Sequence, residues 1–157
     1  MKCIRSRAPI ASSPSVRRVM QANVGRQTTP ELVFRRALHA AGLRFRKDVQ
    51  PEWALHCKAD VVFSRKKVCI FVDGCFWHKC PIHFELPKTN TEWWDEKIDA
   101  NVVRDMRQTK WLEDHGWQVI RVWEHETIGH NLHNIVEHLK YTLTKKYGAS
   151  TSSGSER

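Results

Sequence analysis

Between residues 72 and 83 the chain reads Val72-Asp73-Gly74-Cys75-Phe76-Trp77-His78-Lys79-Cys80-Pro81-Ile82-His83. One carboxylate, two thiols, two imidazoles and two adjacent aromatic rings fall within twelve residues. A hydrophobic core has no use for that mixture. A loop that wraps a metal ion beside a surface gripping something flat does, and a fold able to carry this chain must hold such a loop rigidly.

Cys75, Cys80 and His83 offer three soft or borderline ligands, and a closed structural zinc site takes four. The best fourth candidate is His125, directly after the apolar segment ending Val122-Trp123-Glu124. A Cys2His2 set of this kind staples the loop to a distant strand and leaves no coordination position open. His78 is the rival ligand; alternatively it projects away from the thiols and acts as a general acid or base near phosphate. Cys69 sits in Val68-Cys69-Ile70-Phe71-Val72 and reads as a core thiol, while Cys3 and Cys57 find no role. An odd count of five cysteines argues against a disulfide framework.

Asp60–Phe63 and Val68–Asp73 read as a β-hairpin around Ser64-Arg65-Lys66-Lys67. A turn centred between Lys66 and Lys67 sets Asp60 opposite Asp73, with Cβ atoms roughly 4.5–5.5 Å apart. Two carboxylates so placed repel unless a cation lies between them, and hard oxygens suit Mg²⁺. The plainer alternative is a pair of solvated strand ends. Glu31, near the start of the first helix, either joins this group or is a helix-start acid responding to the helix dipole.

The remaining elements follow from capping and periodicity. Thr28-Thr29-Pro30-Glu31 opens a helix that runs to about Ala41, with Gly42 as its C′ residue. Leu43–Arg46 alternates like a strand. A long helix spans Thr91 to about His115, Trp117–Glu124 forms a strand, and Ile128, Leu132, Ile135, Leu139 and Leu143 mark a last helix with Asn131 as a candidate cap. This order predicts an α/β layer fold with a mixed central sheet flanked by helices. Residues 1–18 are expected to be a disordered basic arm, 19–147 the folded domain and 148–157 a disordered polar tail.

On the long helix Ile98, Val102, Met106, Thr109 and Leu112 share the expected buried side, with Lys97, Asn101, Arg104 and Gln108 as an adjacent polar stripe suited to bases and phosphates. Phe76, Trp77 and Trp94 are either a wedge for a duplex or a small core covering the metal. Lys and Arg number 26 against 17 acids, a net charge of +9, which favours a polyanionic partner. No apolar run reaches the ~20 residues of a membrane span. No signal-peptide pattern precedes the domain, so a cytoplasmic location is expected.

Together, Thr29-Pro30-Glu31, Ala59-Asp60-Val61-Val62-Phe63, Val72 through His78, Thr91-Glu92-Trp93-Trp94, Glu96-Lys97-Ile98, Asn101 through Asp105 and Gly116-Trp117 through Glu124 resemble the very-short-patch mismatch repair endonucleases of bacteria. The resemblance runs in collinear order over about residues 18 to 126. It implies a restriction-endonuclease-like core with a structural Zn²⁺, and Mg²⁺-dependent nicking of double-stranded DNA 5′ of the thymine in a T:G mismatch. A monomer, nucleoid-associated when bound to DNA, is expected, with mismatch-repair proteins as candidate partners. By resemblance Asp60 and the backbone carbonyl of Val72 bind Mg²⁺, His78 and Asp73 stand at catalytic positions, and Glu31 is the supporting acid. Phe76, Trp77 and Trp94 match aromatics that enter the duplex, and Met20, Lys97 and Asn101 match positions at the mismatch. Three departures stand out: Asp73 where the best-known member has His, Cys80 and His125 with thiol and imidazole exchanged, and Ala59 for the usual Pro. The other functions compatible with these residues are a same-fold, restriction-associated nickase and a non-catalytic zinc-dependent DNA-binding module.

Overall fold

The computed structural model describes residues 28–148, together with Pro14 and Arg18. The expected N-terminal arm (Pro14 and Arg18 apart), Met20 and the polar tail after Gly148 lie outside the described residues. Helix α1 spans Thr29–Ala40, strand β1 Arg46–Val49, β2 Ala59–Phe63, β3 Val68–Asp73, helix α2 Thr91–Asp114, β4 Gln118–Trp123 and helix α3 Gly129–Gly148. The four strands form one sheet in the order β1-β2-β3-β4. The first two pairings are antiparallel; β3 and β4 run parallel, joined by the crossover through α2. This is the mixed, helix-flanked sheet expected from the sequence.

Local chemistry sets the boundaries. Thr28 takes an extended conformation before α1, Pro30 occupies the first turn, and the Thr28 hydroxyl donates to Glu31 at 3.0 Å. Gly42 ends the helix at φ 81°, a region an L-residue enters only at a cost; its N–H reaches the His39 carbonyl and that of Leu43 the Leu38 carbonyl. Strand pairing then begins at Arg46 rather than Leu43. Leu43 and Phe45 keep their predicted alternation by packing against the core, but their backbones do not join the ladder. Helix α3 begins at Gly129, two residues before the expected Asn131 cap.

Each face of the sheet is covered. Phe34 and Leu38 of α1 and Val136, Leu139 and Leu143 of α3 pack on Val61, Phe63, Val68, Ile70 and Val122. Val62, Cys69, Phe71, Cys57, Ala59 and Trp117 form the second core with Leu112 of α2. Full burial of each Val, Leu, Ile or Phe among them contributes about 1.5–3 kcal/mol. Cys69 is a fully buried thiol, as expected, and Cys57 belongs to the same layer. On α2 the buried face carries Trp94, Ile98, Asn101, Asp105 and Leu112; Met106, expected inside, is 67% exposed. The i, i+4, i+7 progression is helical as anticipated, but the face is rotated because two polar residues, Asn101 and Asp105, find hydrogen-bond partners in the loop after β3. No helix among the described residues is long and apolar enough to cross a membrane.

The hairpin register corrects the sequence expectation. Val61 pairs with Ile70, Val62 with Cys69 and Phe63 with Val68, so the turn is centred between Arg65 and Lys66. Ser64–Lys66 form one 3-10 turn and Lys67 closes it in the left-handed region at φ 49°. The same four residues connect the strands as expected, but the centre lies one residue earlier than assumed, so Asp60 is not set opposite Asp73. The parallel partner of Asp73 is Trp123.

Candidate active site and metal centres

Among the described residues, the groups able to hold a metal gather at the C-terminal ends of β3 and β4 and the start of β2, with Asp48 of β1 beside the latter. The loop after Asp73 turns back so that the donor atoms of Cys75, Cys80, His83 and His125 all lie within 4.8 Å of one another. Cys75 Sγ is 3.1 Å from His125 Nδ1 and 3.9 Å from His83 Nδ1; Cys80 Sγ is 3.9 Å from His125 Nδ1 and 3.8 Å from His83 Nδ1. Ligands at 2.0–2.3 Å from a tetrahedral centre stand roughly 3.3–3.8 Å apart, so this group could hold a zinc ion. Burial pushes the Cys75 thiol up to about 11, the neighbouring Cys80 and Glu124 adding to it and the His125 contact opposing. A positive centre among the four is what would make both thiolates. The loop is braced independently by Glu124, whose Oε1 accepts the Cys75 N–H at 2.7 Å, and by Lys79, paired with Asp95 and Asp99 of α2.

Asp60 and Asp73 have separate partners. The Asp60 carboxylate turns towards α1 and β1, where its oxygens come within 4.8 Å of those of Glu31 and Asp48. Its Oδ2 accepts the Val72 N–H at 2.8 Å, which fixes it against the end of β3. Burial pushes the Asp60 carboxyl up to about 6; the Val72 bond and Arg35 oppose this, and Glu31 and Asp48 reinforce it. Three crowded, partly desolvated carboxylates with hard oxygen donors suit a divalent cation of the Mg²⁺ type. Asp48, absent from the sequence expectation, reaches the group from a left-handed conformation at φ 52°, which Asp tolerates better than most residues. Arg35 Nη2 lies among all three acids, 2.6 Å from Asp48, 3.4 Å from Glu31 and 3.5 Å from Asp60.

Asp73 is instead gripped by Arg121, whose Nε and Nη2 each reach a carboxylate oxygen at 2.6 Å. Planar bidentate pairing of this kind neutralises the acid and fixes its orientation. Beside it, His78 Nδ1 meets Asp105 Oδ2 at 2.5 Å and stands 3.7 Å from Asp73. Burial works to raise the Asp105 pKa, but the bond to His78 and the charges of His78, Arg121 and Arg104 hold it below its ordinary value. The pairing orients the His78 ring and directs Nε2 away from Asp105. Asp73, His78, Val102, Asp105, Arg121 and Trp123 line part of a cavity of about 400 Å³. Asp105 and Arg121 escaped the sequence reading as site residues; the signals were a charge inside the apolar strand Val119-Ile120-Arg121-Val122 and an acid on the buried side of α2.

Phe76, Trp77 and Trp94 meet one another at ring-centroid distances of 5.2–6.0 Å, joined by Phe84 and Trp93. Trp94 is 7% exposed, Phe76 half-buried and Trp77 36% exposed, so the cluster is a small core with one ring at the surface. The Asn101 amide donates to the Trp77 carbonyl at 3.2 Å and is buried, apart from the exposed Lys97 and Arg104 of the anticipated stripe.

A DNA-acting enzyme is the class this arrangement defines: a basic domain with a carboxylate cluster, a histidine–aspartate pair and a stapled aromatic loop. A sequence profile described as "DNA mismatch endonuclease Vsr" matches residues 12–83. The chain is 40% identical over 147 residues to the Type II nicking enzyme V.NaeI of Lentzea aerocolonigenes, covering 92% of this chain and 86% of that protein. It is 36% identical over 141 residues to the Type II nicking enzyme V.NmeDIP of Neisseria meningitidis serogroup C, covering 85% and 89%. Against the DNA mismatch endonuclease Vsr of Escherichia coli K12 it is 41% identical over 106 residues, 67% of this chain and 66% of that protein. The chain belongs to the Vsr family, and with it to the endodeoxyribonucleases.

Proposed function

We propose that the protein is a Mg²⁺-dependent, zinc-stapled nickase that cuts one strand of double-stranded DNA 5′ of the thymine in a T:G mismatch. The observation that carries this reading is the junction at the end of β3. There Val72 bonds Asp60 on one side of the strand, while Asp73 leads into the loop that presents His78, the aromatics and the Cys/His group.

Asp60, with Glu31, Asp48 and the Val72 carbonyl as further oxygen donors, would hold Mg²⁺. The chemistry Mg²⁺ supplies in such a cradle is activation of a water and neutralisation of charge on the phosphodiester. His78, oriented through Nδ1 by Asp105, moves a proton at Nε2. Asp73 acts through Arg121 and His78 rather than as a metal ligand, since both of its oxygens already accept from Arg121. Cys75, Cys80, His83 and His125 take Zn²⁺ structurally and hold Phe76 and Trp77 on a rigid loop. Trp77 meets the duplex first, with Phe76 and Trp94 behind it, and Lys97 and Arg104 supply cationic contacts to the phosphates. Asn101 fixes the wedge loop through Trp77, and Met20 is assigned to the mismatch by resemblance alone. The enzyme works as a monomer on chromosomal DNA in the cytoplasm.

The names of the relatives, mostly Type II nicking enzymes, favour one variant reading: a nickase whose flanking sequence is that of a restriction–modification system. Nicking of T:G, other mismatches and matched duplex across a panel of flanking sequences tests both. Cutting confined to T:G supports the proposal, and dependence on one flanking sequence adds the restriction-associated specificity. Equal cutting of matched duplex refutes the mismatch reading.

A further inference from the structure

The Glu31, Asp48 and Asp60 carboxylates already hold a cation that belongs to the chain. Arg35 is 5% exposed, and its Nη2 is the point on which all three acids converge. Its Nε donates to the Asp60 backbone carbonyl at 3.1 Å, so the guanidinium is tied to both the main chain and side chain of that residue. The pairing is incomplete: Nη1 is buried and has no hydrogen-bond partner among the described residues. An arginine placed purely as a brace would be expected to spend both ends of its planar fork. Here one end is crowded with negative charge and the other is unspent. That imbalance is what a counter-charge looks like.

We propose that Arg35 is a built-in competitor for the catalytic cation: a divalent metal and the Arg35 guanidinium draw on the same oxygens, and Arg35 thereby sets the metal affinity of the site. The inference rests on the metal-site reading above and adds a regulator to it. A guanidinium within 3.5 Å of Asp60 and a divalent ion on that carboxylate are like charges at close range, so the ion must turn the arginine out. Asp48 is Arg35's shortest contact, so it is the carboxylate over which ion and guanidinium compete most directly. In consequence the acids remain compensated before metal arrives, and metal binds more weakly than to a bare three-acid cradle.

Mn²⁺ titrated into the zinc-loaded, full-length protein without DNA provides the test, with free Mn²⁺ read by electron paramagnetic resonance. Arg35→Met should bind Mn²⁺ at least roughly tenfold more tightly than wild type, whereas Arg35→Lys, which keeps the charge, should stay within about threefold. Unchanged or weaker binding by Arg35→Met identifies a structural brace and overturns the proposal. So does Arg35→Lys behaving like Arg35→Met. Equal binding by wild type and Asp60→Asn removes the metal site itself, a failure distinct from that of the competitor. Wild-type protein gives a second readout that needs no variant: the Arg35 Nε–H resonance should move with Mg²⁺ along its binding curve. A resonance that stays fixed at saturation contradicts displacement.

Discussion

Replacing Asp105 by Asn probes the orientation of His78 while preserving shape. Asp105 Oδ2 stands 2.5 Å from His78 Nδ1, and the Asp105 side chain is 12% exposed. A hydrogen bond to a charged partner contributes about 1.5–3 kcal/mol against about 1 for a neutral one, so the amide forfeits about 0.5–2 kcal/mol. Carried into the transition state, that is a fall in kcat of roughly 2- to 30-fold. An Asn amine turned towards Nδ1 also favours the wrong tautomer, so the larger figure is the expected one. Single-turnover nicking on a T:G duplex reads kcat, and KM for DNA should stay within about twofold, because Asp105 acts through His78. An unchanged kcat in Asp105→Asn, with His78→Ala inactive, would refute the orienting role. A loss carried wholly by KM would do the same.

The same acid makes a stability prediction. Its folded pKa is held below 3.8, so its contribution is fully present above that value and is lost as pH falls through the folded pKa. The stability gap between wild type and Asp105→Asn, measured by urea unfolding, should therefore narrow below about pH 4. Removing the Cys75/Cys80/His83/His125 metal with a strong chelator should lower Tm and release about one zinc per chain, and Cys80→Ala should reproduce the Tm loss without chelator. Arg121→Met strands the Asp73 carboxylate, 6% exposed, without its bidentate partner. Calorimetry should register a destabilisation of roughly 3 kcal/mol, the lower end for breaking a buried pair, since Arg121 is itself 25% exposed.

Legibility in the sequence followed how local each feature was. Cys75, Cys80 and His83 lie nine residues end to end and are legible as a local set, and the position of His125 directly after a predicted strand makes it the natural fourth; the structure gathers all four. Helix α1 was readable from Thr28, Pro30 and Gly42, because caps act within one turn. The Asp60–Asp73 pairing failed because hairpin register depends on turn geometry, and Lys67 in the left-handed region carries no sequence mark. Asp48 and Arg35 were missed for a related reason. Their meeting depends on the packing of α1 over β1 and β2, and Arg35 alone looks like a surface cation paired with Glu31. The rotation of α2 that buries Asn101 and exposes Met106 likewise needed the partners, the Trp77 carbonyl and His78, to be in place.

The central claim is that Asp60 directs Mg²⁺-dependent scission of one strand at a T:G pair. A duplex with differently labelled strands, incubated with Mg²⁺ or with EDTA, tests it directly in wild type and Asp60→Asn. The account predicts a single nick 5′ of the thymine, with Mg²⁺ only, and none with Asp60→Asn while DNA binding persists. Cleavage by Asp60→Asn at the wild-type rate, or undiminished nicking in EDTA, would contradict it.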